Sequence, residues 1–288
     1  MALLHRNDGD GWLECACGRR HWGRHGAAGL MLIRPDDHVL LQHRAVWSHE
    51  GGTWALPGGA RSSTESALAT ALREATEEAA VNPASVNPSN SWVDDHGSWS
   101  YTTVVAHTRG EVEVGAADPE SVELRWVHLD EVAGHALHPA FAAAWPRFRE
   151  HATCRLVLVV DAANVVGSRP DGWWRDRVGA NTRLRDRLAE LAARGIPASE
   201  LGLPGDVWWP DISLVVEGQA RGIESIPEVT VHSAQGDGDE LIADTVATSR
   251  RERPQDHVVA VTADRALRSR IGDLDAAVVG PGTLLGVL

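Results

Sequence analysis

The sequence contains no lysine, three cysteines and no apolar run long enough to cross a bilayer. All 27 fixed positive charges are therefore arginines, and 40 acidic side chains leave a net charge of −13. An acid excess of this size argues against a surface that coats nucleic acid broadly, although it allows a local basic groove. So few cysteines argue against a disulfide framework as the basis of the fold. The first ten residues lack the apolar region of a signal peptide, so we expect a cytoplasmic protein without membrane contact.

Two of the cysteines stand near two histidines at the start of the chain. Cys15, Cys17, His21 and His25 are residue types that ligate zinc. The C-x-C spacing is unusual for such a site, and the segment is short. We therefore expect residues 1–25 to form a lead-in without zinc, with a zinc site as the alternative.

The length of 288 residues and the composition, 43% hydrophobic and 23% charged, predict two globular domains. The strongest local pattern is a glycine loop followed by a helix from Ala67 to Ala79. Ser66 is a suitable N-cap, and small and apolar residues recur at helical spacing along one face. That face should pack on a core.

The opposite face of this helix carries Glu74, Glu77 and Glu78 at i, i+3 and i+4. Three carboxylates so close together repel one another, and a divalent cation would relieve the repulsion. Ligands that offer only oxygen suit Mg²⁺ or Mn²⁺. Taken alone, the pattern also fits a solvated acidic helix face.

The whole stretch resembles the Nudix box, G-x5-E-x7-R-E-U-x-E-E-x-G-U, in which U is apolar. The residues in register are Gly59, Glu65, Arg73, Glu74, Ala75, Glu77, Glu78 and Val81. One position departs from the pattern, because Ala80 stands where the family has glycine. A left-handed backbone is often needed at the end of a helix, so this change affects the expected turn rather than the metal ligands.

The resemblance implies a Nudix α/β/α sandwich with a mixed sheet over residues 26–152. It also implies hydrolysis of a nucleoside diphosphate linked to another moiety, with Mg²⁺ (or Mn²⁺) as cofactor and a nucleotide as substrate. The implied metal ligands are Glu74, Glu78, Glu77 and the Gly58 carbonyl, with Glu77 also a candidate base. Glu65 and Arg73 would hold the loop on the helix. Glu120, just before the strand Val122 to Leu129, is a further candidate ligand or base, or else a surface-loop residue.

The second half of the sequence alternates apolar strands with helices, which predicts an α/β domain with a mostly parallel sheet covered on both faces. Asp161, Glu217 and Asp264 follow three of these strands. The carboxyl ends of parallel strands lie along one edge, where ligands bind. Asp239 and Asp244, on a following helix, would add to a carboxylate cluster suited to Mg²⁺ or Mn²⁺.

Residues 153–288 resemble the PIN-like nucleases of the NYN/YacP type. The segments that carry the resemblance are Val160 to Val165, Asp239 to Asp244 and Val261 to Leu267. The resemblance implies metal-dependent RNA cleavage. It further implies Asp161, Asp239 and Asp264 as metal ligands, supported by Asn164, Glu217 and Asp244.

A segment beside this predicted site interleaves aromatic and basic side chains, namely Arg169, Trp173, Trp174 and Arg175. Such residues suit stacking and phosphate contacts on single-stranded RNA, although they would equally suit a lid packed on its own domain.

Two alternative functions remain open. The second domain could bind RNA without cleaving it and deliver modified 5′ ends to the first, or Ala80 could mark a degenerate box in a nucleotide sensor. The sequence leaves the choice of nucleotide and the oligomeric state undetermined.

Overall fold

The computed structural model describes residues 7–169 and 172–288. The chain divides into two compact units, Met1–Thr153 and Cys154–Leu288. In the described ranges, none of the helices has the length and apolar character needed to span a membrane.

The first unit begins with a short antiparallel hairpin, followed by strands, the predicted helix and further strands. Its strands are β1 Trp12–Glu14, β2 Arg20–Trp22, β3 Ala27–Ile33, β4 His38–Arg44, β5 Trp54–Ala55, β6 Gly58–Ala60, β7 Val86–Asp95, β8 Ser100–Thr108 and β9 Ser121–His128. Its helices are α1 Ala67–Ala79 and α2 Pro139–His151, with 3₁₀ turns at Pro83–Ser85 and Val132–Gly134.

The main sheet of this unit is mixed, as predicted, and runs in the order β7-β8-β3-β4-β5. β3 pairs parallel to β8 and antiparallel to β6, while β9 pairs antiparallel to β4. Every residue of β3 is buried. Side chains alternate between the two faces of a strand, so β3 presents apolar groups to both sides of the sheet.

Helices cover both faces of β3. Met31 and Ile33 share a core with Phe141, Trp145 and Phe148 of α2. The helix α1 packs on β3 through its alanine stripe, in which Ala71, Ala75 and Ala79 are fully buried. The small stripe lets the helix backbone lie close to the sheet, which brings its glutamate face beside the glycine loop.

Ser66 caps α1 as predicted, because its hydroxyl accepts a hydrogen bond from the Ala69 amide at 3.1 Å. At the other end Ala80 is left-handed, with φ 55° and ψ 24°. Ala80 therefore takes the turn conformation that glycine favours. The strand β7 was not predicted from the sequence, because one proline and two asparagines interrupt its alternation.

The second unit alternates strands and helices. Its strands are β10 Leu156–Asp161, β11 Ile196–Pro197, β12 Val207–Trp208, β13 Pro210–Val216, β14 Val229–Ser233, β15 His257–Val261 and β16 Ala277–Val279. Its helices are α3 Ala162–Gly167, α4 Arg177–Arg194, α5 Ala198–Leu201, α6 Gly238–Glu252, α7 Arg265–Gly272 and α8 Pro281–Val287, with 3₁₀ turns at Trp173–Arg175 and Gly218–Ala220.

Five strands form a parallel sheet in the order β14-β13-β10-β15-β16, which confirms the predicted sheet type. Leu158 and Val160 of β10 face a core shared with Leu188 of α4, whereas Val159 faces a second core with Val246 of α6. The helix α4 begins at Arg177, because Asp176 caps it by accepting from the Gly179 amide. The short α3 was not predicted.

Candidate functional site

The first unit brings the glycine loop and the glutamate face of α1 into direct contact. An ideal Cβ at Gly59 would lie 2.6 Å from the carboxyl carbon of Glu74, and one at Gly58 would lie 2.6 Å from the Ala28 carbonyl oxygen. Real Cβ atoms do not approach so closely. Both glycines are therefore required by the space available, and not by an unusual backbone conformation.

Arg73 joins the loop to the helix. Its guanidinium donates from Nε to Glu65 Oε1 at 2.8 Å and from Nη2 to the Ala60 carbonyl oxygen at 2.9 Å. The bond to Arg73 holds the pKa of Glu65 below its usual range. These hydrogen bonds of the Arg73 guanidinium hold the loop against the start of α1. The positions of Glu65 and Arg73 therefore agree with the predicted role of the two residues in holding the loop on the helix.

The three glutamates of α1 differ in their surroundings. Arg73 Nη1 donates to Glu74 at 2.8 Å and to Glu77 at 3.0 Å. Glu78 is buried and accepts a hydrogen bond from the Gly58 main-chain N–H at 2.9 Å. The structure therefore gathers Gly58, Glu74, Glu77 and Glu78 at one place, with Glu77 on the solvent side.

Burial governs the ionisation of the two inner carboxyls. It raises the pKa of Glu74 to about 7, against the opposing effect of Arg73. It raises the pKa of Glu78 to about 8, and the neighbouring Glu74 carboxylate adds to this shift. Two buried acids whose negative charges repel each other are stabilised when a cation binds between them. The donor set is oxygen only, so the residues fit Mg²⁺ or Mn²⁺.

Three residues near this group were not predicted from the sequence. Gln42 is fully buried, its side-chain N–H₂ donates to the Ser121 hydroxyl at 2.6 Å, and its amide lies within reach of the Glu78 carboxylate. The Ser121 hydroxyl donates to the Glu78 main-chain carbonyl at 3.3 Å. Burial, with the nearby Glu78 charge, raises the pKa of Tyr101. A glutamine directly after the apolar run Val39 to Leu41 was the available signal for the first of them.

Glu120 lies at the turn before β9, beside Ser121. Its main-chain N–H donates to Asp118 at 2.6 Å and its carbonyl accepts from the Ala45 amide at 2.9 Å. These contacts place the main chain of Glu120 beside the end of β4 and leave its role as a ligand or base a prediction.

The hairpin β1–β2 brings together three of the four residues named as zinc-ligand types. Ligand atoms of Cys15, Cys17 and His21 lie within 4.8 Å of one another. His25 is placed elsewhere, with Nε2 4.0 Å from an Asp8 carboxylate oxygen.

The second unit has an acidic cavity of about 280 Å³ at the carboxyl edge of its parallel sheet. The carboxylates that line it are Asp161, Glu217, Asp237, Asp239 and Asp264, and Asn164 lies beside them. Burial and the neighbouring carboxylates raise the pKa of Asp239. Asp244 is exposed on α6 and is not among the cavity residues.

Asp161 is the most deeply held of these acids. It is 4% exposed and accepts hydrogen bonds from the Asn164 side chain at 2.6 Å and the Thr262 hydroxyl at 2.8 Å. It also caps α3, just as Asp264 caps α7 by accepting from the Leu267 amide at 2.8 Å. Both acids therefore have a structural role as well as a place in the cavity.

The arginine and tryptophan residues follow α3. Trp173 lines a second, smaller cavity together with Glu217, and the Arg177 guanidinium lies 5.2 Å from its ring centre. Trp174 and Arg175 are exposed on the same 3₁₀ turn. Arg169 is half-buried beyond α3.

Comparison with known proteins identifies the first unit. The NUDIX domain family model matches residues 23–150. A Mycobacterium tuberculosis protein provisionally named 8-oxo-dGTP diphosphatase 3 is 51% identical over 154 residues, which are 50% of this chain and 70% of that protein. The chain belongs to the Nudix family.

Two further proteins are similar to this chain. A nucleoside triphosphate pyrophosphatase/Nudix hydrolase fusion protein of Bifidobacterium longum is 49% identical over 148 residues, which are 49% of this chain and 31% of that protein. The chain thus spans less than a third of the length of the Bifidobacterium relative. The crystal structure of RenU, a Nudix hydrolase of M. smegmatis, matches at 47% identity with a TM-score of 0.46, covering 49% of this chain and 94% of RenU.

The first unit is thus a domain of the Nudix hydrolases, enzymes that act on phosphoric anhydrides. The glycine loop, Arg73 and the three glutamates of α1 all lie within the matched residues. The match ends at residue 150, so the likeness of the second unit to PIN-like nucleases stays a prediction.

Proposed function

We propose that the Nudix unit hydrolyses a phosphoric anhydride bond in a nucleotide with the help of Mg²⁺ or Mn²⁺. The observation that carries the proposal is the pair of inner carboxyls, the mostly buried Glu74 and the buried Glu78, held at the glycine loop with raised pKa values. Arg73 offsets the charge of Glu74, but placing a second acid, Glu78, in the interior beside it is costly, and a cation that also binds phosphate oxygens offsets that cost.

The residues of this chain have separate tasks in such a reaction. Glu78 is fixed by the Gly58 N–H and Glu74 by Arg73, so both offer carboxylate oxygens in a preset arrangement. A bound divalent ion would neutralise the diphosphate and make an attacking water more acidic. Glu77 stands on the solvent side, where it can coordinate the ion or accept the proton of that water. Arg73 and Glu65 are positioning residues.

The names of the relatives indicate the substrate class. Nucleoside triphosphates, with 8-oxo-dGTP first, are the candidates that the Bifidobacterium and Mycobacterium names suggest. The left-handed conformation of Ala80 supports an active domain rather than a degenerate sensor, because it keeps the turn that ends α1.

The test is product analysis of the purified full chain with Mg²⁺ against 8-oxo-dGTP, dGTP, ADP-ribose, dinucleoside polyphosphates and capped RNA. We expect turnover of at least one of these, with loss of at least about a hundredfold in Glu74→Gln and Glu78→Gln. Asp161→Asn, in the other unit, is the matched control and should keep full nucleotide turnover. Full activity in both glutamate variants would overturn the proposal.

For the second unit we propose a metal-dependent ribonuclease, supported by the five carboxylates around one cavity. Asp161, Asp239 and Asp264 would hold the ion, and Trp174 with Arg175 would contact a single strand. With Mn²⁺ and a single-stranded RNA, Asp264→Asn should abolish cleavage while Asp244→Asn, outside the cavity, should not. RNA that binds but is never cut would favour the alternative of a binding module.

A further inference from the structure

The hairpin at the start of the first unit carries a cluster of metal-binding side chains that is separate from the box glutamates. Cys17 Sγ lies 3.2 Å from His21 Nε2, and one ligand atom each from Cys15, Cys17 and His21 falls within a 4.8 Å span. Three soft or borderline donors, two of them thiols, therefore converge on a single point.

The backbone of the hairpin produces this convergence. Antiparallel pairing sets Leu13 opposite His21, and the Cys15 N–H donates to the Arg19 carbonyl at 2.9 Å. The turn then closes through a bond from the Gly18 N–H to the Cys15 carbonyl at 3.0 Å, with Gly18 at φ +81°. Cys15 and Cys17 thus lie on a tight turn, while His21 projects from the returning strand. The unusual C-x-C spacing suits this turn.

Neighbouring groups on the β7–β8 turn orient the donors. The Ser98 hydroxyl donates to Cys15 Sγ at 3.3 Å, and the His96 carbonyl lies 3.3 Å from the same sulfur. The His21 ring stacks on Trp99 with centroids 4.0 Å apart and an interplanar angle of 11°. Hydrogen bonds to the sulfur and a fixed imidazole are the outer contacts that metal ligands commonly have.

We propose that Cys15, Cys17 and His21 bind a structural zinc ion. Two thiolates and a neutral imidazole match the ligand preference of Zn²⁺ and balance its charge. Binding replaces the two thiol protons, which pass to solvent, with two Zn–S bonds. The His96 ring, whose centre lies 4.7 Å from that of His21, is the candidate for the fourth ligand.

A zinc ion in the hairpin would also stabilise the contact between the preceding residues and the glycine loop. Asn7 Nδ2 donates to the Ala60 carbonyl at 3.2 Å, and the Ser63 amide donates to Asp8 at 3.0 Å. The hairpin is therefore continuous with a segment that rests on the glycine loop. A metal at the hairpin would stabilise that contact without taking part in hydrolysis.

The first test needs no variant. The full chain, reduced and freed of metal, is treated with a thiol-alkylating reagent with and without one equivalent of Zn²⁺, and each cysteine is followed by mass spectrometry. We expect zinc to slow alkylation of Cys15 and Cys17 together by at least about tenfold. Equal rates with and without zinc, or a Cys15–Cys17 disulfide that forms in its place, would overturn the proposal.

The second test locates the ion. Cobalt substitution of the full chain should give a thiolate-to-metal absorption band, and Cys15→Ser, Cys17→Ser and His21→Ala should each remove or strongly weaken it. His25→Ala and Cys154→Ser are matched controls that should keep it. A band that persists in both Cys15→Ser and Cys17→Ser would place the metal elsewhere and contradict the proposal.

Discussion

Removing the charge of Glu78 should change how the stability of the metal-free protein depends on pH. The carboxyl has a pKa of about 8 in the folded chain against 4.5 as its ordinary value, because it is buried next to Glu74. The folded state therefore binds this proton more tightly than the unfolded state. Between pH 4.5 and about 8 the free energy of unfolding should fall as pH rises, since the unfolded state releases this proton over that range while the folded state still holds it.

The size of the effect follows from the shift. At about 1.4 kcal/mol per pKa unit, the difference corresponds to a loss on the order of 5 kcal/mol across the window. Glu78→Gln keeps an oxygen that can accept from the Gly58 N–H but cannot ionise. In the presence of a chelator, Glu78→Gln should therefore be no more stable than the wild type at acid pH. At about pH 9 it should be more stable than the wild type.

Urea unfolding of the full chain at a series of pH values, with a chelator throughout, measures this difference. Glu77→Gln is the matched control, because its carboxylate is more exposed on the same helix and is screened by solvent. Saturating Mg²⁺ should reverse the order at about pH 8, because only the wild type can bind the ion fully. A difference between wild type and Glu78→Gln that does not vary with pH would refute the reasoning.

Three further predictions follow from individual contacts. Ala80→Gly should raise the free energy of unfolding by up to about 1 kcal/mol in urea titrations, because it relieves a left-handed alanine; a destabilised variant would contradict this. Gly59→Ala should cost about 1 to 3 kcal/mol and weaken Mg²⁺ binding measured by calorimetry, since the added methyl displaces Glu74, and unchanged binding would count against the proposed ligand. In the Glu78→Gln variant, Mn²⁺ should still raise the melting temperature by binding to the second unit, and adding Asp161→Asn should remove that rise. A rise that persists in the double variant would exclude the acidic cavity as the site where Mn²⁺ binds.

Much of the first unit could be predicted because its signals are local. The alanine stripe, the Ser66 cap and the spacing of the glutamates each depend on residues within a few turns of one helix. The hydrogen bond from the Gly58 N–H to the Glu78 carboxylate could not be predicted from the sequence, since it depends on how closely α1 packs on β3. The same applies to Gln42 and Ser121, which meet Glu78 only after β4 and β9 have paired.

In the second unit the alternation of apolar strands and helices was enough to predict the sheet type and the edge at which the acids gather. It was not enough to predict which of the acidic residues line the cavity. Asp239 lines the cavity and Asp244 does not. The two residues are five positions apart on a helix, so their side chains point in very different directions. Spacing alone also could not place the cysteines, because the approach of Cys15, Cys17 and His21 depends on a tight turn at Gly18.

The hydrogen bond from the Gly58 main-chain N–H to the Glu78 carboxylate has a consequence for which cation the first unit would accept. A carboxylate tied to the backbone on one side and to a packed helix on the other cannot retreat to make room for a larger ion. Mg²⁺ coordinates oxygen at about 2.0 to 2.1 Å, whereas Ca²⁺ needs about 2.3 to 2.6 Å and more ligands. Because this carboxylate is held rigidly, the first unit should bind small ions such as Mg²⁺ with higher affinity than Ca²⁺.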